Sequence, residues 1–362
     1  MWAVPRELED ALYAAARAAL GDAQLATAQL TRAIVDRSER YTSDRARLAV
    51  RSDGDLAARA VFWTVTDAMK VCIPVAELAN RGALPARRPL RVVDLGAGCG
   101  AMSLGLVTMV KDVEITAIDR DAAALAIAAA AVRTFTPSIT TRIGDVTKAA
   151  LPPCDLVVMG TVLNELDEAA ALAVALRALA AIAEDGAVIV IEPALRTTSR
   201  ALHAIRDALI AKGLTIFAPC TRTLAPCPAL ADPDDWCHED RALALPPRTA
   251  ELARLTHLRD GGMKFSYLVV RKQPLPLVDD PRAWRLVSAA RVAKGKHEII
   301  GCSDRGRIPL RLLKRNRTPE NKALERADRG EVVVVPDEPG DERVEITGAI
   351  TRIDPASRFR DG

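Results

Sequence analysis

The residues with the clearest chemical pattern form a glycine-rich loop at 94–100, with the sequence DLGAGCG. Glycines at alternate positions allow a tight turn and let a ligand approach the backbone closely. Acids also end the next two predicted strands, where a carboxylate can accept hydrogen bonds from a ribose diol or an adenine amine. The pattern predicts a nucleoside-binding site, and the alternative is a plain turn between a strand and a helix. The predicted binding residues are Asp94, Gly96, Gly98, Gly100, Asp119 and Asp145.

Four of the seven cysteines lie outside any apolar pattern, in a connection rich in Pro and Asp and in a basic segment further on. Disulfides are disfavoured in a reducing cytoplasm, so four thiolates around a metal explain these cysteines best. The spacing C-x6-C-x9-C-x64-C lacks the short paired knuckles of a zinc ribbon and favours a [4Fe–4S] cluster. Zinc, His238 as a competing ligand, and four unligated thiols stay open as alternatives. The predicted ligands are Cys220, Cys227, Cys237 and Cys302.

Strand-like and helix-like runs alternate through the middle of the chain. Alternation of this kind predicts an α/β fold, with a parallel sheet covered by helices on both faces. The 44 residues between the last two predicted strands lack helical periodicity. The predicted strands cover 91–95, 113–119, 138–145, 154–160, 186–192, 213–219 and 264–272.

The two ends of the chain differ from this middle part. Helical periodicity dominates residues 5–83, where Pro74 should kink or end a helix. Beyond Lys272 the chain is Pro-rich and basic, and then ends in β-like runs that predict a small C-terminal β module. The predicted parts are an N-terminal helical region at 1–83, a domain at 84–272 with a Cys-rich insertion at 218–263, and a basic segment with the β module at 273–362.

Composition and charge limit the possible functions. Of the 362 residues, 49% are hydrophobic and 27% are charged, which is enough to bury a core. No apolar run reaches 18 residues, and the acidic N-terminus has no apolar core of a signal peptide, so we expect a cytoplasmic protein without a membrane span. Between Arg282 and Arg329, 14 Lys and Arg face only 5 Asp and Glu, a surplus that suits a polyanion such as nucleic acid.

The glycine loop and the alternating elements resemble the class I S-adenosylmethionine-dependent methyltransferases over residues 90–272. The resemblance implies a Rossmann-like seven-stranded sheet with an antiparallel last strand, and a loop that surrounds the methionine and ribose parts of the cofactor. Such enzymes usually place substrate-handling groups after the fourth strand, where this chain has GTVLNEL at 160–166. That segment lacks the Pro-Pro-aromatic clamp for an exocyclic amine. Asn164 and Glu165 are the candidate catalytic residues, and the alternative is that they cap the next helix.

The cysteines make the resemblance more specific. Pro-Cys and Cys-Pro pairs, Trp-Cys-His at 236–238 and KFSYL at 264–268 are similar to the mitochondrial small ribosomal subunit methyltransferase-like assembly factors and their bacterial relatives, over about 30–335. The resemblance includes an N-terminal segment, here Glu39-Arg40-Tyr41. It implies a [4Fe–4S] cluster on the four cysteines and binding to rRNA of the immature small ribosomal subunit. The chain departs from the family pattern at 61–78 and from 336 onwards.

The leading hypothesis is therefore an S-adenosylmethionine-binding, cluster-bearing protein that acts in ribosome assembly or translation and is monomeric off the ribosome. Members of the family often look catalytically impaired, which agrees with the missing clamp. One alternative is an active rRNA methyltransferase with a structural cluster. The other is a zinc-stapled RNA-binding protein without turnover.

Overall fold

The computed structural model describes residues 1–43, 52–222, 225–259, 262–340 and 342–357. The chain forms two compact units, each built from three segments. The first unit comprises Met1–Val75, Pro85–Ile191 and Arg241–Met263, and the second comprises Ala76–Leu84, Glu192–Asp240 and Lys264–Gly362. Short pieces of the predicted helical region, of the Cys-rich insertion and of the C-terminal module lie outside the described residues. The three-part division made from the sequence stays a prediction.

Helices and strands alternate along most of the chain. The helices are α1 (Arg6–Leu20), α2 (Thr27–Ser43), α3 (Asp53–Ala58), α4 (Thr64–Ala68), α5 (Cys72–Asn80), α6 (Ala101–Val107), α7 (Ala122–Val132), α8 (Glu168–Ala181), α9 (Arg196–Ala211) and α10 (Pro247–Thr256). The strands are β1 (Trp2–Ala3), β2 (Leu90–Leu95), β3 (Val113–Asp119), β4 (Ile139–Ile143), β5 (Cys154–Gly160), β6 (Ile182–Pro193), β7 (Thr215–Ala218), β8 (Glu239–Arg241), β9 (Leu243–Ala244), β10 (Met263–Arg271), β11 (Ala283–Leu286), β12 (Arg291–Ala293), β13 (Lys296–Ser303), β14 (Gly306–Leu313), β15 (Val332–Val334), β16 (Val344–Glu345) and β17 (Thr351–Ile353).

The predicted N-terminal helical region is confirmed. Helix α4 ends at Ala68 and α5 begins at Cys72, so Pro74 lies in a first helical turn, where its missing N–H breaks no hydrogen bond. Between α3 and α4 the helix widens into one π-helical turn, Arg59–Trp63, a feature that often marks functional sites. No helix within the described residues is long and apolar enough to cross a membrane.

Five parallel strands form the sheet of the first unit, in the order β4-β3-β2-β5-β6. The order reverses direction at β2, because β3 follows on one side of it and β5 on the other. Ligands of doubly wound sheets bind outside the carboxyl ends of the strands at such a reversal. The expected α/β class I methyltransferase fold is confirmed, and its sheet directs attention to the loop that leaves β2.

The second unit contains the antiparallel pair of β10 and β7, which agrees with the predicted antiparallel last strand. It also contains a second sheet in the order β16-β14-β13-β11-β15-β17, with β12 paired to β13. Trp284, Leu310 and Leu312 belong to a buried apolar cluster on this sheet. The predicted C-terminal β module is therefore present.

Two expectations from the sequence need correction. The connection between β7 and β10 contains a helix, α10, which starts with Pro247 in its first turn and buries Thr249, Leu252 and Ala253. Only three of the ten residues of α10 are buried, so the sequence shows no apolar periodicity that would predict this helix. The Pro-rich basic segment is largely β-structure, since β11 to β14 lie within it. Strand β13 alternates between buried and half-buried positions, but its buried positions include His297 and Ser303, which conceal the pattern.

Candidate functional site

The glycine loop leaves the carboxyl end of β2 in the first unit and turns directly into α6. Gly96, Gly98 and Gly100 all have positive φ, of 78°, 51° and 87°, a conformation that L side chains rarely adopt. A Cβ on Gly96 would lie 2.4 Å from Val162 Cγ2, so this glycine is required by packing. Among the residues that the structure describes, a Cβ on Gly98 would meet only the Arg59 guanidinium, at 3.1 Å from Nη2. Gly98 is therefore the position at which the loop leaves room for a ligand.

Asp94 is fully buried at the end of β2 and is only half satisfied. Its Oδ2 accepts hydrogen bonds from the Ser103 N–H at 3.0 Å and from the Ser103 hydroxyl at 2.6 Å. Its Oδ1 is buried without a hydrogen-bond partner among the described residues. Burial raises the pKa of Asp94 to about 6, although the Ser103 hydrogen bonds oppose this. A buried acceptor without a donor is costly, and a polar ligand group would reduce that cost.

Asp119 closes the glycine loop from the end of β3. One carboxylate oxygen accepts a hydrogen bond from the Gly98 N–H at 2.8 Å, and the other accepts one from the Asp121 N–H at 2.9 Å. Each oxygen keeps a second lone pair, so the carboxylate can still accept from a diol. Asp145, just beyond β4, is exposed, and hydrogen bonds from Thr147 lower its pKa. All six predicted cofactor residues thus follow or end strands at one edge of the sheet.

Asn164 and Glu165 lie in a short 3-10 turn, Leu163–Glu165, after β5. Neither residue caps the next helix, because the Asp167 side chain accepts from the Ala170 N–H at 2.8 Å and caps α8. The amide of Asn164 instead donates to the Tyr41 hydroxyl at 2.8 Å. Burial raises the pKa of Glu165, and its neighbour Arg120 opposes the rise from a distance of 3.5 Å.

The structure adds three residues that sequence reasoning did not assign to this site, namely Arg37, Tyr41 and Arg59. Arg59 Nη1 donates to Asp121 Oδ2 at 2.8 Å, and Arg37 donates to both oxygens of buried Asp55 at 3.0 Å. Arg37 and Tyr41 come from α2, and Arg59 comes from the π-helical turn. A further signal follows β5, where Thr161 has a φ of 61°, a strained value for a β-branched residue.

These features fit S-adenosylmethionine or its demethylated product. The open side of Gly98 provides a cradle that a Cβ would fill, and Asp94 Oδ1 provides a buried acceptor without a donor. Asp119 is available for the ribose. The geometry of the loop thus agrees with the nucleoside site that the sequence predicts.

The four cysteines predicted as ligands line a single cavity of about 250 Å³ in the second unit. Cys302 lies on β13, where its register partners are Arg285 on β11 and Arg307 on β14, and both arginines also line the cavity. Cys227 is buried and the other three thiols are half-buried. The three remaining cysteines, Cys72, Cys99 and Cys154, are buried.

The thiols of this cavity interact with one another and with polar neighbours. Burial, together with the nearby Cys220 and Cys237, raises the pKa of Cys227 to about 12. Burial and the other cavity thiols likewise raise the pKa of Cys302. Arg206 Nε donates to Cys220 Sγ at 3.3 Å.

Histidine also borders the cavity. His203 Nε2 accepts a hydrogen bond from the Cys237 N–H at 3.0 Å, and burial lowers the pKa of His203 to about 3, so its ring is neutral. His238 stacks on Trp236 and its Nε2 lies 3.2 Å from Arg329 Nη1. Within the described residues, however, no three His, Cys, Asp or Glu side chains come together as a metal site. Four thiols nevertheless line one cavity, and four thiolates are the donor set that iron–sulfur clusters use.

The basic segment divides into two classes of side chain. Several of its charges are neutralised, as Arg305 pairs with Glu338, Arg307 with Asp235, Arg311 with Glu345, Arg317 with Glu325 and Lys296 with Glu298. Six others are exposed and have no ion-pair partner in the part of the chain that the structure describes. Two of these, Lys322 and Arg326, lie in a 3-10 helix, and the other four lie close to β13 in the chain or in the sheet. They lie on β12, in the turn between β12 and β13, and directly after β14, and the Lys314 N–H donates to the Gly295 carbonyl at 2.9 Å. We call them the free basic edge: Arg291, Lys294, Lys314 and Arg315.

Comparisons with known proteins give one matching family and several structures of similar fold. Residues 63–332 match the family described as Mitochondrial small ribosomal subunit Rsm22. The magnesium protoporphyrin IX methyltransferase of Synechocystis, solved with bound S-adenosylmethionine, is 15% identical; the match covers 65% of this chain and 94% of that chain, with a TM-score of 0.38. Human N-acetylserotonin methyltransferase is also 15% identical; the match covers 65% of this chain and 58% of that chain, with a TM-score of 0.36. No curated protein matches the sequence.

The fold assignment rests on the strand order, since these structural similarities are coarse. The family match covers well over half of the sequence and includes the glycine loop, the four cysteines and most of the basic segment. The chain belongs to the family of the mitochondrial small ribosomal subunit protein Rsm22.

Proposed function

We propose that this protein binds S-adenosylmethionine and associates with the rRNA of a small ribosomal subunit, where it acts in ribosome assembly or translation. The observation that carries the cofactor proposal is the glycine loop at the reversal of strand order, with Asp94 and Asp119 at its two sides. In this proposal Asp119 accepts from the ribose, Gly98 leaves room for the cofactor, and Asp145 lies towards the adenine. A cytoplasmic location and a monomeric state off the ribosome stay predictions.

The proposed partner rests on the family and on the free basic edge. The family name refers to the small ribosomal subunit. The four exposed charges of the edge lie on adjacent turns of one sheet, so they present fixed positive charge to a phosphate backbone. Charges that are already paired within the protein contribute less, because their acids would have to be displaced.

We propose further that Cys220, Cys227, Cys237 and Cys302 hold a [4Fe–4S] cluster, with zinc as the alternative. A bound cluster would supply either a one-electron redox centre or a cross-link between the β7–β10 connection and β13. The protein's own contribution is to gather four thiols in one cavity and to line it with Arg206, Arg285 and Arg307. Cationic neighbours favour thiolate over thiol, which is the form that binds metal.

Active methyl transfer to rRNA is a second candidate function, and one observation favours it. The segment after β5 combines the positive φ of Thr161 with the hydrogen bond from Asn164 to Tyr41, so a strained backbone and two polar groups occur where a substrate would be handled. Transfer of a labelled methyl group to small-subunit rRNA, compared with Asn164→Ala, tests this candidate.

Cofactor binding is tested by calorimetry with S-adenosylmethionine and S-adenosylhomocysteine. Asp119→Ala should weaken binding about ten- to hundredfold, because loss of a hydrogen bond to a charged acceptor costs about 1.5–3 kcal/mol. Gly98→Val should abolish binding, since a side chain would enter the cradle. Asp112→Ala, at the opposite end of β3, is the matched control and should bind normally. A folded wild-type protein that binds neither ligand would refute the cofactor proposal.

A further inference from the structure

Arg59 lies beside the glycine loop. It is the first residue of the π-helical turn, and its Nη2 lies 3.1 Å from the point that a Cβ on Gly98 would occupy. Among the described residues, the guanidinium is the one group within 4 Å of that point, so it faces the least crowded glycine of the loop. Its side chain is 19% exposed, so it is neither free in solvent nor sealed in the core.

A hydrogen bond to Asp121 fixes the position of the Arg59 side chain. Nη1 donates to Asp121 Oδ2 at 2.8 Å, while Asp121 Oδ1 accepts from the Ala124 N–H at 3.0 Å and caps α7. Asp121 thus holds one edge of the guanidinium against the start of a helix. An arginine held along one edge keeps its remaining N–H groups for a planar anion.

A second arginine, Arg37, interacts electrostatically with Arg59. Burial lowers the pKa of Arg37, and the neighbouring Arg59 guanidinium lowers it further. Arg37 and Arg59 also both act on the charge of Glu165 across the site. The carboxylates of Asp119 and Asp121 also lie beside this region, but Asp121 pairs with Nη1 of Arg59, and Nη2 is the atom that faces Gly98. An anionic ligand group at Gly98 can therefore pair with Nη2.

S-adenosylmethionine has one anionic group, the carboxylate of its amino-acid part, and carries a positive sulfonium and ammonium. A guanidinium near the sulfonium would be repelled, so favourable pairing is available only at the carboxylate. We propose that Arg59 determines specificity for this carboxylate, so that the site distinguishes the intact cofactor and its demethylated product from nucleosides that lack an α-carboxylate. This inference rests on the proposed cofactor binding.

The test compares the intact cofactor with its decarboxylated form, which differs in this group alone, and with a nucleoside that has no amino-acid part. Calorimetry measures the affinities of S-adenosylmethionine, its decarboxylated form, and 5′-methylthioadenosine, which lacks the amino-acid part. Wild-type protein should prefer the intact cofactor to the decarboxylated form by about ten- to hundredfold. Arg59→Gln should reduce this preference to less than about threefold and leave the affinity for 5′-methylthioadenosine unchanged. Arg133→Gln removes an exposed arginine at the other end of α7 and should keep the wild-type preference.

The possible results separate this inference from the proposed function. If wild-type protein binds none of the three ligands, the cofactor proposal itself is wrong. If it binds all three and Arg59→Gln weakens all of them equally, Arg59 has only a structural role and the inference is overturned. If Arg59→Gln does not fold, Arg59→Lys is used instead. The lysine ammonium is a point charge on a shorter side chain, so the preference for the intact cofactor over its decarboxylated form should fall. An unchanged preference in Arg59→Lys would also overturn the inference.

Discussion

The free basic edge leads to a prediction about RNA binding. In its test, the effect of removing positive charge can be separated from the effect of where that charge lies. Changing Arg291, Lys294, Lys314 and Arg315 together to Gln removes four exposed charges that have no acidic partner among the described residues. A matched variant removes the same number of charges from the same segment but from residues that are paired within the protein. This control changes Lys296, Arg305, Arg311 and Arg317 to Gln.

Counterion release sets the size of the effect. Each phosphate contact contributes about 0.7–0.9 to the slope of log K against log salt concentration, so loss of four contacts should lower the slope by about 3. Between about 50 and 200 mM salt, the wild-type protein should therefore lose on the order of 50- to 150-fold more affinity than the variant. The paired control should lower the slope by less than about 1, because each of its charges already has an acid in contact.

Filter binding of full-length protein to small-subunit rRNA, over a series of salt concentrations, measures these slopes. Thermal unfolding of each variant checks that the sheet is intact, since all eight side chains lie at its surface or half-exposed. If both variants lower the slope equally, net charge alone governs binding and the edge has no special role. If neither variant changes it, the RNA contacts lie elsewhere on the protein.

Two further predictions concern the two candidate sites. Burial raises the pKa of Asp94 from an ordinary 3.8 to about 6, so the stability that it contributes is present below pH 3.8 and is lost as pH rises through about 6. In denaturant titrations, the free energy of unfolding of Asp94→Asn relative to wild type should rise by up to about 3 kcal/mol between pH 4 and pH 7.5. The exposed control Asp145→Asn should show no such rise. A difference between Asp94→Asn and wild type that does not change with pH would contradict the reasoning. Cys302→Ser should lose iron and the brown colour after anaerobic purification, while Cys154→Ser keeps both; stoichiometric zinc without iron in wild type would refute the cluster.

Most strands of the first sheet were predictable from the sequence because they are short apolar runs between polar turns, although β4 is largely polar and exposed. Val113–Asp119 and Cys154–Gly160 match the predicted bounds, since β5 is buried along almost its whole length and β3 buries most of its apolar side chains. The acids at strand ends were predictable for a related reason. Parallel strands bring their carboxyl ends to one edge, so chain order alone placed Asp119 and Asp145 there.

Arg59 and Tyr41 could not be found in this way, because nothing local marks them. Each lies on a helix far from the loop in sequence, and its role depends on how that helix packs against the sheet. The π-helical turn at Arg59–Trp63 has no sequence signature comparable to a glycine motif. The free basic edge was hidden for another reason: the sequence shows 14 basic residues in the segment but not which of them find an acid in the fold.

The arrangement of the cysteines explains why their spacing resembled no standard metal motif. Short knuckles arise where one turn supplies two ligands, whereas here Cys220, Cys227 and Cys237 come from an irregular connection and Cys302 from a strand. Cys302 reaches the cavity because β13 pairs with β11, so sheet register delivers a cysteine that 64 residues separate from Cys237 along the chain. A long interval between ligands closes a large loop, and a metal that closed it would restrict the unfolded chain more than a local knuckle could. The same β-structure that positions Cys302 also presents the free basic edge, so a cross-link at the cavity would stabilise the sheet that carries these charges.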